Sequence, residues 1–543
     1  MQKFTRRTLL GASIVAAGSG TLTACSGSGS GAQPEGGATG RRGARHSSGN
    51  FIPKGPKGYV NPSDPEVLAA EKKRGAGPVR KFKLTATETT VDLGGRSVRT
   101  WTYGDALPGK EIRIAAGDVL EMTLANHLRE ATTLHSHGIR MRCDMDGVPG
   151  LTQRSIGAGE DFTYRFAVEH PGTYWLHSHS GMQLDRGLYA PLIVEDPKEP
   201  LSYDKEWVLV LDDWVDGVSG STPDRVLAQL HGGEHAPMDM GEGAHGPERG
   251  KSAGPQESPS ARSAGPDRVL RDSYSRVLQS MGGNVDYPHY LINGRLPEAP
   301  SVYRARPGDR IRLRIINAGG DTAFRVALGG HEMTVTHTDG YPVEHTRTDA
   351  LLLGMAERYD VMVTAGDGVF PLVAIAEGKG ARTMAVLRTS SGSIPPPDAH
   401  PDELDGMLVP ARRLRPHESV AFSDDEPDRE MRIKLTGGME NFDWGFDHEP
   451  YSIEKRIPVQ EGERVRISLI NATDMWHPVH LHGHTFALTG IDAVGARKDT
   501  AHVLPHRKLV IDFYADNPGL WMLHCHNQYH SESGMMTILG YRK

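Results

Sequence analysis

Three times along this chain a turn holding a glycine and an acid leads, nine residues after the glycine, to an asparagine. The copies are Ala116-Gly117-Asp118 to Asn126, Pro307-Gly308-Asp309 to Asn317, and Glu461-Gly462-Glu463 to Asn471. Between glycine and asparagine, apolar and polar residues alternate, as in Arg310-Ile311-Arg312-Leu313-Arg314-Ile315, which is the period of a half-buried strand. A pattern in triplicate predicts three copies of one β-domain. The length agrees, since 543 residues exceed one ordinary core and about 100–200 residues per domain gives roughly three. No long apolar stretch with a 3.6-residue period is evident, and 64 glycines and 36 prolines suit a protein of strands and turns. The expected class is all-β.

The copies differ in what they carry. Nine residues beyond each asparagine stand His135, Val326 and His480, and two further on stand His137, Leu328 and His482. Core side chains in the middle copy thus replace imidazoles, which predicts an architectural role for it. A second register joins only the outer copies: Pro171-Gly172 precedes His177-Ser178-His179 as Pro518-Gly519 precedes His524-Cys525-His526. Ser178 therefore stands where Cys525 stands.

These residue types point to copper. A His2Cys set with a weak axial Met is that of a blue-copper centre, because thiolate and imidazole together suit copper and tune its potential. Cys525 supplies the thiolate. Its neighbours His524 and His526 point to the opposite strand face and are free for other metals. Both members of a His-X-His pair share a face, roughly 6–7 Å apart along the strand, so a pair can grip two adjacent ions. The four pairs give eight imidazoles, which suit three coppers between the first and last domains.

With these residues in view, the chain resembles the three-domain multicopper oxidases, the family of laccases, bilirubin oxidases, ascorbate oxidase and bacterial cuprous oxidases. The likeness covers about residues 80–543 and is carried by LHSHGI, YWLHSHSG, HPVHLHGH and HCHNQYHSESGM. Met145 to Gly150 with Thr152-Gln153, and Glu357-Arg358-Tyr359-Asp360, match as well. The resemblance implies three cupredoxin-like Greek-key sandwiches and four copper ions. His477, Cys525, His530 and Met535 would bind the type 1 copper, and His135 and His480 the type 2 copper. His137, His177, His179, His482, His524 and His526 would hold the type 3 pair, with His484 outside the ligand set. It further implies that a donor gives up single electrons near the type 1 copper, that Cys525 passes them to His524 and His526, and that dioxygen becomes water. The protons call for an acid near the cluster; Asp146 matches the family acid, with Asp144 the alternative. Some relatives carry an acid three residues after the copper cysteine, where this chain has Gln528, and nearby Glu532 is a substitute. A Met axial ligand favours easily oxidised donors over resistant phenols.

The first 25 residues read as an address. Thr5-Arg6-Arg7-Thr8-Leu9-Leu10 is a twin-arginine start, against the plainer reading of a charged leader, and Leu22-Thr23-Ala24-Cys25 resembles a lipobox with Cys25 lipidated. The expected location is the outer face of the cytoplasmic membrane, or secretion after plain cleavage. Losing residues 1–24 removes Lys3, Arg6 and Arg7 and no acid, moving the formal charge from −7 to −10, so nucleic acid is not expected as a partner. Of three cysteines, Cys25 and Cys525 are then engaged and Cys143 is left as a buried thiol without a disulfide.

The expected organisation is a signal at 1–25, a tether and lead-in at 26–79, domains at 80–198, 199–392 and 431–543, and a linker at 393–430. An insert at about 217–285 carries His231, His235, Met238, Met240, His245 and Met281. It has the ligands to collect Cu(I), against the plainer reading of a solvated insertion that happens to hold Met and His. Its repeated Pro-Asp-Arg-Val-Leu, at 223–227 and 266–270, predicts two short helices. The expected activity is oxidation of phenols, aromatic amines or Cu(I) with dioxygen as acceptor, with a role in copper tolerance and a monomer sufficient. A copper nitrite reductase and a non-catalytic copper or electron carrier are the competing readings; neither needs four His-X-His pairs.

Overall fold

The computed structural model describes residues 56–232, 265–271 and 273–543. Each element of the threefold motif has a mechanical job. Gly117, Gly308 and Gly462 have φ of 92°, 86° and 92°, a left-handed conformation that strains any residue with a side chain. The acid that follows closes the turn. Asp118 accepts from the Ala115 N–H at 2.9 Å, Asp309 from Arg306 at 2.8 Å and Glu463 from Gln460 at 2.8 Å. The strands Val119–Asn126, Arg310–Asn317 and Arg464–Asn471 then run to the asparagine. Its buried amide ties down the next loop: Asn126 donates to Glu130 and Ile156 carbonyls, Asn317 to Thr322 and Leu353, and Asn471 to Met475, Val503 and Leu504. That loop delivers the strand where the histidines stand.

Around each motif strand the pairing is the same. It lies parallel to an earlier strand (Val79–Asp92, Lys205–Trp214, Arg429–Thr436) and antiparallel to a later one (Asp161–Ala167, Arg358–Thr364, Lys508–Tyr514). A second sheet in each copy centres on Gly172–His177, Val369–Ala376 or Leu520–Cys525. The protein is accordingly all-β, six sheets forming three sandwiches built from strands within 79–195, 205–388 and 429–541. Register in the second sheets sets His135 opposite His177 and His480 opposite His524, and in the middle copy Val326 opposite Ala374.

In the lead-in, Pro65–Lys73 is a helix with proline in its first turn, burying Val67 and Ala70, and residues 58–60 bond to the last strand through Val60 N–H to Tyr541 and Lys543 N–H to Gly58. One expectation about local structure changes. The two Pro-Asp-Arg-Val-Leu copies part ways. Pro223–Leu230 is helical, capped by the Thr222 hydroxyl accepting from the Arg225 N–H. The second copy follows Gly265, which offers no capping side chain. Its Arg268 carbonyl and Leu270 N–H pair with Asp286 and Asn284, so it is extended. Among the described residues no helix is long and apolar enough to cross a membrane.

The alternation in the middle strand also misleads. Arg312 and Arg314 read as the exposed face, yet both are buried. Their guanidiniums converge on Asp360, Arg312 at 2.6 Å and Arg314 at 3.0 Å, with Glu199 and Glu206 on their other sides. Asp360 also accepts from Thr173 of the first sandwich at 2.6 Å. Burial alone would raise the Asp360 carboxyl; Arg312 and Arg314 overcome that and hold it well below the usual carboxylate range. Its stabilisation is therefore in place at neutral pH and is lost as pH falls through that depressed value. Removing one partner of a buried pair costs about 3–5 kcal/mol, so Asp360→Asn is expected to lose unfolding free energy of that order at pH 7, read as a lower denaturant midpoint. Equal midpoints for variant and parent would refute the assignment.

Candidate metal centre

The eight paired imidazoles converge in a space closed off from water between the first and third sandwiches. His135, His137 and His480 form one group, His137, His177 and His526 a second, and His179, His482 and His524 a third; the ligand atoms of each lie within 4.8 Å of one another. A pair does grip two groups, with His177 in one and His179 in the next. So does the pair around the cysteine: His526 belongs to one group and His524 to another.

Outer ring nitrogens are fixed by the protein. His135 Nδ1 donates to the Asp146 carbonyl (2.7 Å), His177 Nδ1 to Ser178 (2.9 Å), His480 Nδ1 to Asp499 (2.8 Å) and His524 Nδ1 to Cys525 (2.9 Å). Carboxylates take two more, His482 Nδ1 on Asp146 at 2.9 Å and His137 Nε2 on Asp499 at 3.1 Å. These bonds select the tautomer and leave the inner nitrogens as bare donors. Indeed His135, His177, His179 and His480 Nε2, His137 Nδ1 and both nitrogens of His526 are buried with no hydrogen-bond partner. An orphaned buried polar atom costs about 1–3 kcal/mol, and a set of them facing one cavity fits bound metal. Burial pushes six of the eight down, His179 to about 3 and His137, His177, His482, His524 and His526 well below their ordinary value, so these six are neutral ligands at pH 7.

The second centre lies wholly in the third sandwich. His477 Nδ1 and His530 Nδ1 are 3.7 and 3.8 Å from Cys525 Sγ and 3.1 Å from each other. Such separations surround one ion with bonds of roughly 2.0–2.3 Å. Met535 is buried beside them, its backbone bonded to His530 and to Cys525. The strand ending at Cys525 and the helix Gln528–Glu532, capped by Asn527, bring these residues together. Trp444 lies over His530 with ring centroids 4.1 Å apart.

The other candidates separate clearly. Asp146 is fully buried and in contact with His482 and His135, whereas Asp144 pairs with Arg142 at 2.6 Å away from the histidines. His484 turns aside to Tyr541, 2.6 Å from its hydroxyl. Gln528 donates to the Gly181 carbonyl, and burial, with the Asp224 charge adding to it, pushes Glu532 up to about 7. Cys143 is a buried thiol bonded to Leu520. In the insert, His231 reaches Ser533 on the helix Gln528–Glu532 side at 3.0 Å, while His235, Met238, Met240 and His245 lie outside the described residues, as does Cys25.

Sequence reasoning missed Asp499, and it matched Glu357-Arg358-Tyr359-Asp360 as a motif without giving Arg358 a role. Arg358 of the middle sandwich binds both carboxylate oxygens of Asp499, at 2.8 and 2.7 Å, and Asp499 in turn holds His137. Gly138 makes room for this pair: a Cβ there would sit 2.5 Å from Arg358 Nη2 and 2.7 Å from Asp499 Oδ2. The middle sandwich is thus more than a spacer. The available signal was Arg358 in a strand that is otherwise core. Loss of a residue that orients a metal-ligating histidine costs about 10–100-fold in metal affinity, so Asp499→Asn is expected to give up copper to a competing chelator at correspondingly lower chelator concentrations. Retention equal to the parent's would show that the pair serves packing alone.

Comparison with known proteins accords with this arrangement. Models of the multicopper oxidases match residues 85–199, 271–392 and 424–542. The chain is 47% identical over 459 residues, 84% of its length and 86% of the relative's, to Multicopper oxidase MmcO of Mycobacterium tuberculosis. It is 28% identical to a Copper resistance protein A homolog of Pseudomonas syringae pv. tomato, over 88% of this chain and 93% of the other. In fold it is similar to Fet3p, a multicopper oxidase that functions in iron import (TM-score 0.68, 23% identity, 85% and 90% of the two chains), and to the laccase from Botrytis aclada (TM-score 0.67, 24% identity, 86% and 88%). Imidazole groups shared between the outer sandwiches, a His2Cys group in the last one and this extent of identity lead to one conclusion: the chain belongs to the multicopper oxidase family, copper-dependent oxidoreductases with dioxygen as electron acceptor.

Proposed function

We propose that this enzyme takes single electrons from phenols, aromatic amines or cuprous ion at one type 1 copper and reduces dioxygen to water at a three-copper cluster, four coppers in all. The type 1 ligands are His477, Cys525, His530 and Met535; the type 2 ligands are His135 and His480. His137, His177 and His526 serve one type 3 ion, and His179, His482 and His524 the other. The observation that carries this reading is the position of Cys525 in the His2Cys group, with its two chain neighbours in two different imidazole groups. When bound, copper supplies one-electron acceptance at the first site and four-electron reduction of dioxygen at the second.

The chain's own residues do the rest. Cys525 offers a bonded path from sulfur to His524 and His526, with no jump through space. The outer hydrogen bonds of the histidines hold the ligands in place through turnover, so little rearrangement accompanies each electron. Asp146, buried against His482 and raised by that burial, is the carboxyl placed to hold a proton for oxygen reduction. A role in copper tolerance draws support from the relatives named for copper resistance. The organisation that goes with this function is three units at 80–198, 199–392 and 431–543. Export by the twin-arginine route, with Cys25 as lipid anchor or with secretion, is supported by Arg6-Arg7 and Leu22–Cys25. One chain holds every ligand, so a monomer suffices.

Cys525→Ser tests the assignment. The expected variant loses the intense visible band and all oxidation of dimethoxyphenol and Cu(I), measured as oxygen uptake, while the type 2 spin-resonance signal stays. A persistent blue band would sink it. In the parent, oxygen uptake with each donor ranks phenol against Cu(I).

A further inference from the structure

The His2Cys group is gripped from outside its own sandwich. Asp321, in the loop that follows Asn317 of the middle sandwich, is fully buried. Its carboxylate accepts from the Asn284 N–H at 2.8 Å, the Val285 N–H at 3.0 Å, Lys379 Nζ at 2.6 Å and Asn527 Nδ2 at 2.6 Å. Two of these partners are the two residues that hold His530. Asn284 Oδ1 accepts from His530 Nε2 at 2.6 Å. Asn527 Oδ1 accepts the backbone N–H groups of Tyr529 and His530, at 3.1 and 3.2 Å, and so caps the helix on which His530 sits.

The sulfur feels the same arrangement. The Asn527 backbone N–H donates to the Cys525 sulfur, and the Asp321 carboxylate lies within electrostatic reach of it. Asn527 therefore touches both sides of the centre. Lys379 pairs with Asp321 and is itself shut away from solvent. A carboxylate that only stabilised the middle sandwich would have no need to reach Asn527 of the third.

We propose that Asp321, with Lys379 as its counter-ion, is a positioning residue for the type 1 copper: it clamps Asn284 and Asn527, and through them sets the orientation and basicity of His530 and the electrostatic field at Cys525. This rests on reading His477, Cys525, His530 and Met535 as the type 1 ligands. An acceptor on the far nitrogen of a ligating imidazole makes that imidazole a stronger donor. A negative charge nearby favours the more positive metal state. Both effects stabilise the oxidised centre, so Asp321 holds the type 1 potential down. The middle sandwich, whose own copy of the motif lacks ligands, then tunes the centre of its neighbour.

The test uses the copper-loaded full chain and reads the type 1 potential by redox titration, the intense visible band and the spin-resonance coupling, with copper content and the type 2 signal alongside. Asp321→Asn is expected to raise the potential and shift the band and coupling, at parental copper content and with an unchanged type 2 signal; Asp321→Glu is expected to return all three towards the parent. Asn284→Ala keeps the backbone contact to Asp321 and removes the acceptor of His530 together with the Nδ2 contact to Met439, so it too is expected to raise the potential, and it carries the test if Asp321→Asn does not fold. Parental potential and spectrum in a fully loaded Asp321→Asn, or in Asn284→Ala where that variant alone folds, would overturn the proposal. An absence of the blue band in the parent would instead overturn the type 1 reading, which keeps the two failures distinct.

Discussion

Eight imidazoles packed into one largely buried space between two sandwiches form the constraint on which the rest of this structure depends. Away from water the ring nitrogens must find partners elsewhere, and burial together with repulsion between like charges in one cavity pushes His482 and His524 down. The outer nitrogens recover their hydrogen bonds from Asp146, Ser178, Asp499 and Cys525. Most of the inner ones have no protein partner, His482 and His524 Nε2 meeting only each other at 3.1 Å. Bound metal satisfies such nitrogens, so metal binding and folding are linked: each bound ion pulls the equilibrium towards the folded chain.

The two halves of the cluster come from sandwiches far apart in sequence, and a third body has to keep them in register. The middle sandwich does so with buried charge as well as apolar contact. Arg358 bridges Asp499 and Asp339; Lys498 of the third sandwich answers Asp339 and Glu357; Asp360 ties Arg312 and Arg314 to Thr173 of the first. Replacing buried ion pairs by apolar side chains is often neutral or favourable for stability, so such pairs are poor evidence of stabilisation as such. Their directionality is the better explanation. A slide of one sandwich against another by a fraction of a strand step would leave several of these charges alone in a dry interior, a cost that apolar surfaces would not impose.

What could be read from the sequence was whatever repeats at short range. The turn glycines, the strand period and the asparagine nine residues on define each sandwich locally, and the His-X-His registers follow from strand alternation without knowledge of tertiary contacts. Asp499, Arg358, Asp321 and Asn284 had no such signal, because their roles arise only when separate sandwiches meet. Arg312 and Arg314 show the limit well: alternation assigns them to solvent, and only the arrival of Asp360 and the first sandwich reverses that. The second Pro-Asp-Arg-Val-Leu fails for a related reason. Its helical pattern equals that of the first copy, but pairing with residues 284–286 outweighs a propensity that no capping side chain supports.

The first sandwich explains why electrons have a single port. Applying the same registers to both outer copies sets Thr132, Ser178, Gln183 and Leu188 at the places of His477, Cys525, His530 and Met535. The backbone there is as well buried as in the third sandwich, yet the site is closed by its own hydrogen bonds. Thr132 and Ser178 donate to the Gln183 carbonyl oxygen at 2.7 and 2.8 Å, and Gln183 donates to Ala131. Every polar group is satisfied, and no soft or imidazole donor is left for a metal. His177 and His179 flank Ser178 as His524 and His526 flank Cys525, so the cluster is nearly symmetric while its connection to the surface is not. With a sulfur on one side and a hydroxyl on the other, the electron route proposed above runs through the third sandwich alone, and the first is left to supply its share of the imidazoles and Asp146.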